Sequence, residues 1–268
     1  MDRAGDGRLN AAHTLPLDDS RRLLGGNLFF AGTGAVLETV GVEIDDALLS
    51  GWRARVERAR RHLGWDRIAP GTPVAPAIVA RRHATGVSLA VQAPVDQLFT
   101  ATELNEWALC ATLHERDPAR WANVTDDLLA DYLEDAADPA DVIPPVLEES
   151  SALARLALRA ANEQRPDIIA LVDAATARGV GHLLDETTLT LGAGKGGHGW
   201  ALDALPAPGA VPWASLHTVP IAAITGSNGK TTTVRLVAAC ARANGWRDGF
   251  NCTDGVFIDR KPVAEGDY

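Results

Sequence analysis

The segment Thr225-Gly226-Ser227-Asn228-Gly229-Lys230-Thr231-Thr232 carries the residue types that hold a polyphosphate. Gly226 and Gly229 permit backbone angles closed to other residues, so amides can approach phosphate oxygens. Lys230 reaches terminal phosphates as a point charge and is the candidate catalytic residue. Thr231 offers the hydroxyl that suits Mg²⁺. The common phosphate loop has a glycine five residues before the glycine of Gly-Lys. Here that position is Ile224, so the loop is short. A plain strand-turn-helix corner is the alternative, but Gly-Lys-Thr-Thr after an apolar run seldom arises by accident.

Two elements must position these groups. The apolar run Val219–Ile224 reads as a strand covered on both faces of a parallel sheet. Thr231–Ala243 reads as a helix closed by Asn244-Gly245. Its N-terminus then directs partial positive charge at the phosphates. A second stretch, Gly192–Gly199, holds Lys195, but Gly196 stands where the hydroxyl is needed and no helix follows. It reads as a flexible connector, continued by Pro206, Pro208, Pro212 and Pro220. Glu103, Glu106, His114 and Glu115 invite a metal reading. Glu106 and His114 lie two helical turns apart and lack a third ligand, so a solvated helix is expected.

Upstream, periodicity supplies the remaining elements. Strand-like runs occupy Leu28–Phe30, Val36–Val40, Val74–Ala80, Gly86–Val91, Gly181–Leu184 and Thr187–Leu191. Leu48, Trp52, Val56 and Ala59 mark one face of a helix over Asp46–His62, capped by Asp45 or Asp46. Arg53, Arg55, Arg58, Arg60 and Arg61 around that stripe read as a solvated face. Thr100–Glu103 reads as a capping box opening a helix to His114. Further helices are expected over Thr125–Glu134, Val146–Gln164 and Asp167–Ala177, with Gly179 as a left-handed cap. Asp138–Asp141 breaks the first of these, and Pro144-Pro145 marks an internal boundary. Met1–Asn10 reads as a loose tail.

The 268 residues are 46% hydrophobic and 22% charged, an ordinary globular balance. A net charge of −10 opposes a nucleic-acid or anionic-membrane partner. Cys110, Cys240 and Cys252 form neither a zinc nor a disulfide pattern, and no signal peptide or membrane span is apparent. A cytoplasmic protein is expected.

The short loop resembles that of the Mur ligase superfamily. Cys252–Ile258, with its Thr253-Asp254-Gly255, and Gly266-Asp267-Tyr268 resemble the cyanophycin synthetase branch. Arg22–Asn27 is similar to the opening of that branch. Ala174–Val180 with Leu189–Gly194 is similar to the start of its ATP-grasp domain, here absent or reduced. The resemblance implies an ATP-dependent ligase that joins a carboxylate to an amine through an acyl phosphate, with Mg²⁺. Gly226, Ser227, Asn228, Gly229, Lys230, Thr231 and Thr232 would bind the nucleotide, and Thr231 the metal. Thr253 and Asp254 would lie at the ligand edge. The fold class expected is mixed α/β and α+β. An N-terminal α+β domain (1–145) precedes a helical linker region (146–205) and the first strand-loop-helix of a P-loop parallel-sheet central domain (206–268). The family's later residues have no position here, so a truncated chain without complete turnover is expected. Another P-loop ATPase, a small-molecule kinase and a non-catalytic remnant are the alternatives.

Overall fold

The computed structural model describes residues 17–40, 44–65, 77–135, 142 and 144–266. The expected tail Met1–Asn10, the start of the run at Val74, the breaker Asp138–Asp141 and the final Asp267-Tyr268 lie outside them. The chain divides into two units, Met1–Thr218 and Val219–Tyr268. Only five of the 35 acidic residues, but six of the 25 basic ones, follow Thr218, so the negative charge belongs to the first unit.

The first unit is built on a four-stranded antiparallel sheet. Its strands are β1 (Leu17–Leu23), β2 (Gly34–Val40), β3 (Ile78–Arg82) and β4 (Gly86–Gln92), in the order β1-β2-β4-β3. Leu37 pairs with Leu89, and Val87, Leu89 and Val91 alternate toward the core with period two. Helices α1 (Asp46–His62) and α2 (Leu98–Arg116) share that core. The expected α1 stripe is buried at all four positions. Its cap is Asp45, which accepts the Leu48 amide at 2.8 Å. Asn105 of α2 accepts the Trp52 indole N–H at 2.9 Å and donates to the Leu89 carbonyl at 2.8 Å. That chain satisfies buried polar groups while tying two helices to the sheet.

Several local expectations are corrected. Leu28–Phe30 forms no strand; the Asn27 side chain accepts both the Phe29 and Phe30 amides and holds a turn. The strand lies instead in the polar sequence at Leu17–Leu23, which has no apolar alternation to reveal it. The capping box at Thr100 does not form, because α2 begins at Leu98. Glu163 caps it from the end of α4 (Glu149–Glu163), accepting the Phe99 and Thr100 amides and the Thr100 hydroxyl. Four of the five arginines of α1 are cross-links, whereas Arg61 is exposed as expected of a solvated face. Arg58 grips Glu149 at 2.5 and 2.7 Å, Arg53 reaches the Ile78 carbonyl, Arg55 meets Glu115, and Arg60 is 5% exposed and donates to the Gln92 carbonyl.

α3 (Val124–Asp135) follows α2. After Pro144-Pro145, α4 packs back on α2, with Ala152 and Leu156 in the same core. α5 (Pro166–Thr176) ends with Gly179 at φ +67°, the left-handed position expected of it. It packs on a second antiparallel sheet of β5 (His182–Leu184), β6 (Thr188–Leu191) and β7 (His198–Ala201).

The second unit contains α6 (Lys230–Ala243) and the antiparallel strands β8 (Gly249–Cys252), β9 (Gly255–Ile258) and β10 (Lys261–Ala264). Gly245 at φ +82° terminates α6 as expected. The strand expected over Val219–Ile224 does not form. That segment is irregular, and Ile221 is 78% exposed. A strand needs a neighbour for its backbone N–H and C=O groups, and none of the described residues supplies one. All pairings among the described residues are antiparallel, so the expected parallel sheet is not seen.

Candidate functional site

The α6 N-terminus is where polar groups of the second unit converge. The chain enters through Gly226 at φ +142° and Gly229 at φ +78°, ψ 0°. Gly229 is the N-cap, and no side chain caps the helix. Thr233 returns one hydrogen bond from its amide and one from its hydroxyl to the Gly229 carbonyl, at 2.9 Å each. Among the described residues, nothing accepts from the amides of Ser227, Asn228, Gly229, Lys230, Thr231 or Thr232. Six donors therefore stand at the positive end of a helix dipole, in the arrangement that attracts an anion.

The side chains add to this. Lys230 folds back over the loop, its Nζ donating to the Gly226 carbonyl at 2.7 Å. The loop residues from Thr225 through Lys230 are exposed, and Thr231 is half-buried. Thr231 Oγ1 lies 3.2 Å from Thr253 Oγ1. Thr253 and Asp254 form the turn between β8 and β9, closed by the pair Cys252–Gly255. Asp254 Oδ2 receives Arg235 Nη2 at 2.5 Å, and the Cys252 thiol lies 3.8 Å from the same oxygen. The fold thus brings Thr253 from 22 residues away to the helix start. Arg235 had no signal in the sequence motif. Its position four residues after Thr231, on the same helical face, was the available cue.

In the other glycine stretch, four backbone amides already have carbonyl acceptors. Gly192 donates to the Gly181 carbonyl at 2.7 Å and Ala193 to the His217 carbonyl at 3.0 Å. Gly196 and Gly197 donate into their own turn, and His217 returns its amide to the Gly196 carbonyl. The segment is a packed corner leading into β7 rather than a flexible connector. A Cβ on Gly196 would lie 2.2 Å from the His217 ring.

The four groups considered for a metal each have a different partner. Glu103 binds Arg155 at 2.9 Å and Arg159 at 3.2 Å; Glu106 accepts the Tyr132 hydroxyl at 2.8 Å. His114 faces the Trp121 carbonyl and Glu115 faces Arg55. Burial and the neighbouring carboxylates push the Tyr132 phenol well above its ordinary pKa. No group of three metal-ligating side chains occurs among the described residues. Nor is any described helix long and apolar enough to cross a membrane.

No family model matches the chain. Its curated relatives include the cyanophycin synthetase of Crocosphaera subtropica, 52% identical over 56 residues, which are 21% of this chain and 6% of that protein. Those of Synechocystis and Geminocystis herdmanii are each 47% identical over 49 residues, 18% of this chain and 6% of the relative. The chain therefore has a partial relationship to cyanophycin synthetases, and the matched segment spans only about one-sixteenth of their length.

Proposed function

We propose that residues 219–268 are the phosphate-holding part of an ATP-dependent carboxylate–amine ligase of the Mur and cyanophycin synthetase type. The observation that carries this reading is the row of six unpaired amides at the start of α6, flanked by Lys230, Thr231 and Thr253. The partial similarity to cyanophycin synthetases supports it.

The donor set fits a nucleotide triphosphate. The amides from Ser227 to Thr232 would bind phosphate oxygens without needing to leave other partners. Lys230 would exchange the Gly226 carbonyl for the β and γ phosphates, trading a neutral acceptor for an anionic one. Thr231 would ligate Mg²⁺ with its hydroxyl. Bound ATP supplies a transferable phosphoryl group, which turns a carboxylate into an acyl phosphate open to attack by an amine. The contribution of Lys230 and the amides is to hold the phosphates in place and neutralise charge. Within a longer ligase, Val219–Ile224 would become a strand once a parallel neighbour takes up its N–H and C=O groups. A kinase or a different P-loop ATPase needs a free carboxylate for magnesium. Asp254, the candidate close in sequence, is engaged by Arg235, and the short loop argues against that alternative.

Calorimetric titration with ATP, with and without Mg²⁺, tests the assignment. Saturable binding by the wild-type chain is expected, strengthened by Mg²⁺ and weakened by Lys230→Ala. Equal heats for the two proteins would remove the site.

A further inference from the structure

We propose that Arg235 is a positioning residue of this site, resting on the nucleotide reading above. It holds Asp254 and thereby seats the Thr253 hydroxyl beside the Thr231 hydroxyl, so that two oxygens rather than one face the Mg²⁺ of a bound nucleotide.

The geometry supports this from three directions. Arg235 stands one turn beyond Thr231 on α6, so both side chains share a face. Its guanidinium reaches Asp254 Oδ2 at 2.5 Å, and the adjacent residue, Thr253, places Oγ1 3.2 Å from Thr231 Oγ1. The far side of the same turn is fixed by Gly255 at φ +121°, where a Cβ would lie 2.4 Å from the Ala264 carbonyl oxygen. The turn is thus pressed against β10 on one side and drawn to α6 on the other.

The three basic residues of α6 divide the helix among them. Lys230 ties its start to the loop, Arg235 ties its middle to the β8–β9 turn, and Arg242 holds Asp248 at 2.6 Å near its end. The Arg242–Asp248 pair has a carboxylate side chain only 3% exposed and serves the packing. The Arg235–Asp254 pair is 54% and 51% exposed. A pair so open to solvent contributes little to folding. Its consequence is the placement of Thr253.

The test uses calorimetry on the full chain with ATP in the presence and absence of Mg²⁺. Arg235→Gln and Asp254→Asn should each weaken Mg²⁺-dependent binding about tenfold, the scale on which partners of metal ligands act. Binding of metal-free ATP and the thermal melt should be unchanged. Arg235→Lys should recover part of the loss, and the charge-exchanged pair Arg235→Asp with Asp254→Arg should recover more than either single change. Wild-type binding with Arg235→Gln indistinguishable from it, at every Mg²⁺ concentration, overturns the role of Arg235 and leaves the nucleotide site standing. A fall in metal-free and Mg²⁺-dependent binding by the same factor also overturns it. No ATP binding by the wild type overturns both readings.

Discussion

The two glycine-and-lysine loops of this chain look alike in composition and differ in what their amides do. At Gly192–Gly199 the backbone donors of Gly192, Ala193, Gly196 and Gly197 are taken by carbonyls, two of them from Gly181 and His217. At Gly226–Thr232 the donors are left over, because a helix begins there and its first turn has no acceptors behind it. Glycine serves opposite ends in the two places. In the first it lets chain segments touch, as at Gly192, where a Cβ would stand 2.1 Å from the Gly196 carbonyl oxygen. In the second it leaves room, for a Cβ on Gly229 would meet nothing within 4 Å. A glycine loop is open to an anion only when its amides have nowhere else to go.

The sharpest way to break this contrast is to exchange the lysines' fates. Lys230→Ala should weaken nucleotide binding by roughly 10- to 100-fold, since a hydrogen bond to a charged group contributes about 1.5–3 kcal/mol. Lys195→Ala should leave it unchanged. Equal losses in calorimetry would mean that the loops are not distinct. Next, Gly192→Ala should destabilise the first unit by about 1–3 kcal/mol, since it adds a backbone clash to a strained positive φ. The midpoint of denaturant unfolding reads this directly, and nucleotide affinity should not change. Gly229→Ala should cost roughly 1 kcal/mol, from its left-handed backbone alone. Its main effect should appear as weaker ATP binding, and a stability loss as large as that of Gly192→Ala would contradict the open geometry.

The smallest effect concerns acid. Glu148 caps α4, and hydrogen bonding from the Ser151 side chain and from the Ser150 and Ser151 amides holds its carboxyl at about 2. Asp45, held by Arg116 and by the Leu48 amide, is also at about 2. Both are depressed in the folded protein, so their contribution is complete above the ordinary carboxylate values. It fades as pH falls through those values and is lost below about 2. The melting temperature of the first unit should therefore drop across this range, and Glu148→Gln should flatten part of the drop.

Much of the local structure was legible because a few neighbouring residues encode it. The α1 stripe Leu48, Trp52, Val56 and Ala59 repeats at helical spacing and is buried as that spacing requires. Gly179 and Gly245 end their helices because only glycine takes the left-handed angle freely. The proposed nucleotide loop was legible through Gly-Lys-Thr-Thr, and the structure adds Arg235, which holds Asp254. What was not legible depends on residues far apart in the chain. Glu163 displaces the expected cap at Thr100 from 63 residues away, and the α1 arginines turn toward carbonyls and carboxylates that no local pattern announces.

By itself the sequence determined where α6 begins and ends, which of its glycines can bend, and that a lysine and a threonine open the helix. Those features follow from torsional preferences and spacing within one or two turns. Tertiary structure alone decided that the 192–199 loop closes on itself, that Arg235 meets Asp254, and that Val219–Ile224 remains without a ladder. Each of these is a pairing between groups, and a pairing is settled only when the folded chain brings the second group within reach.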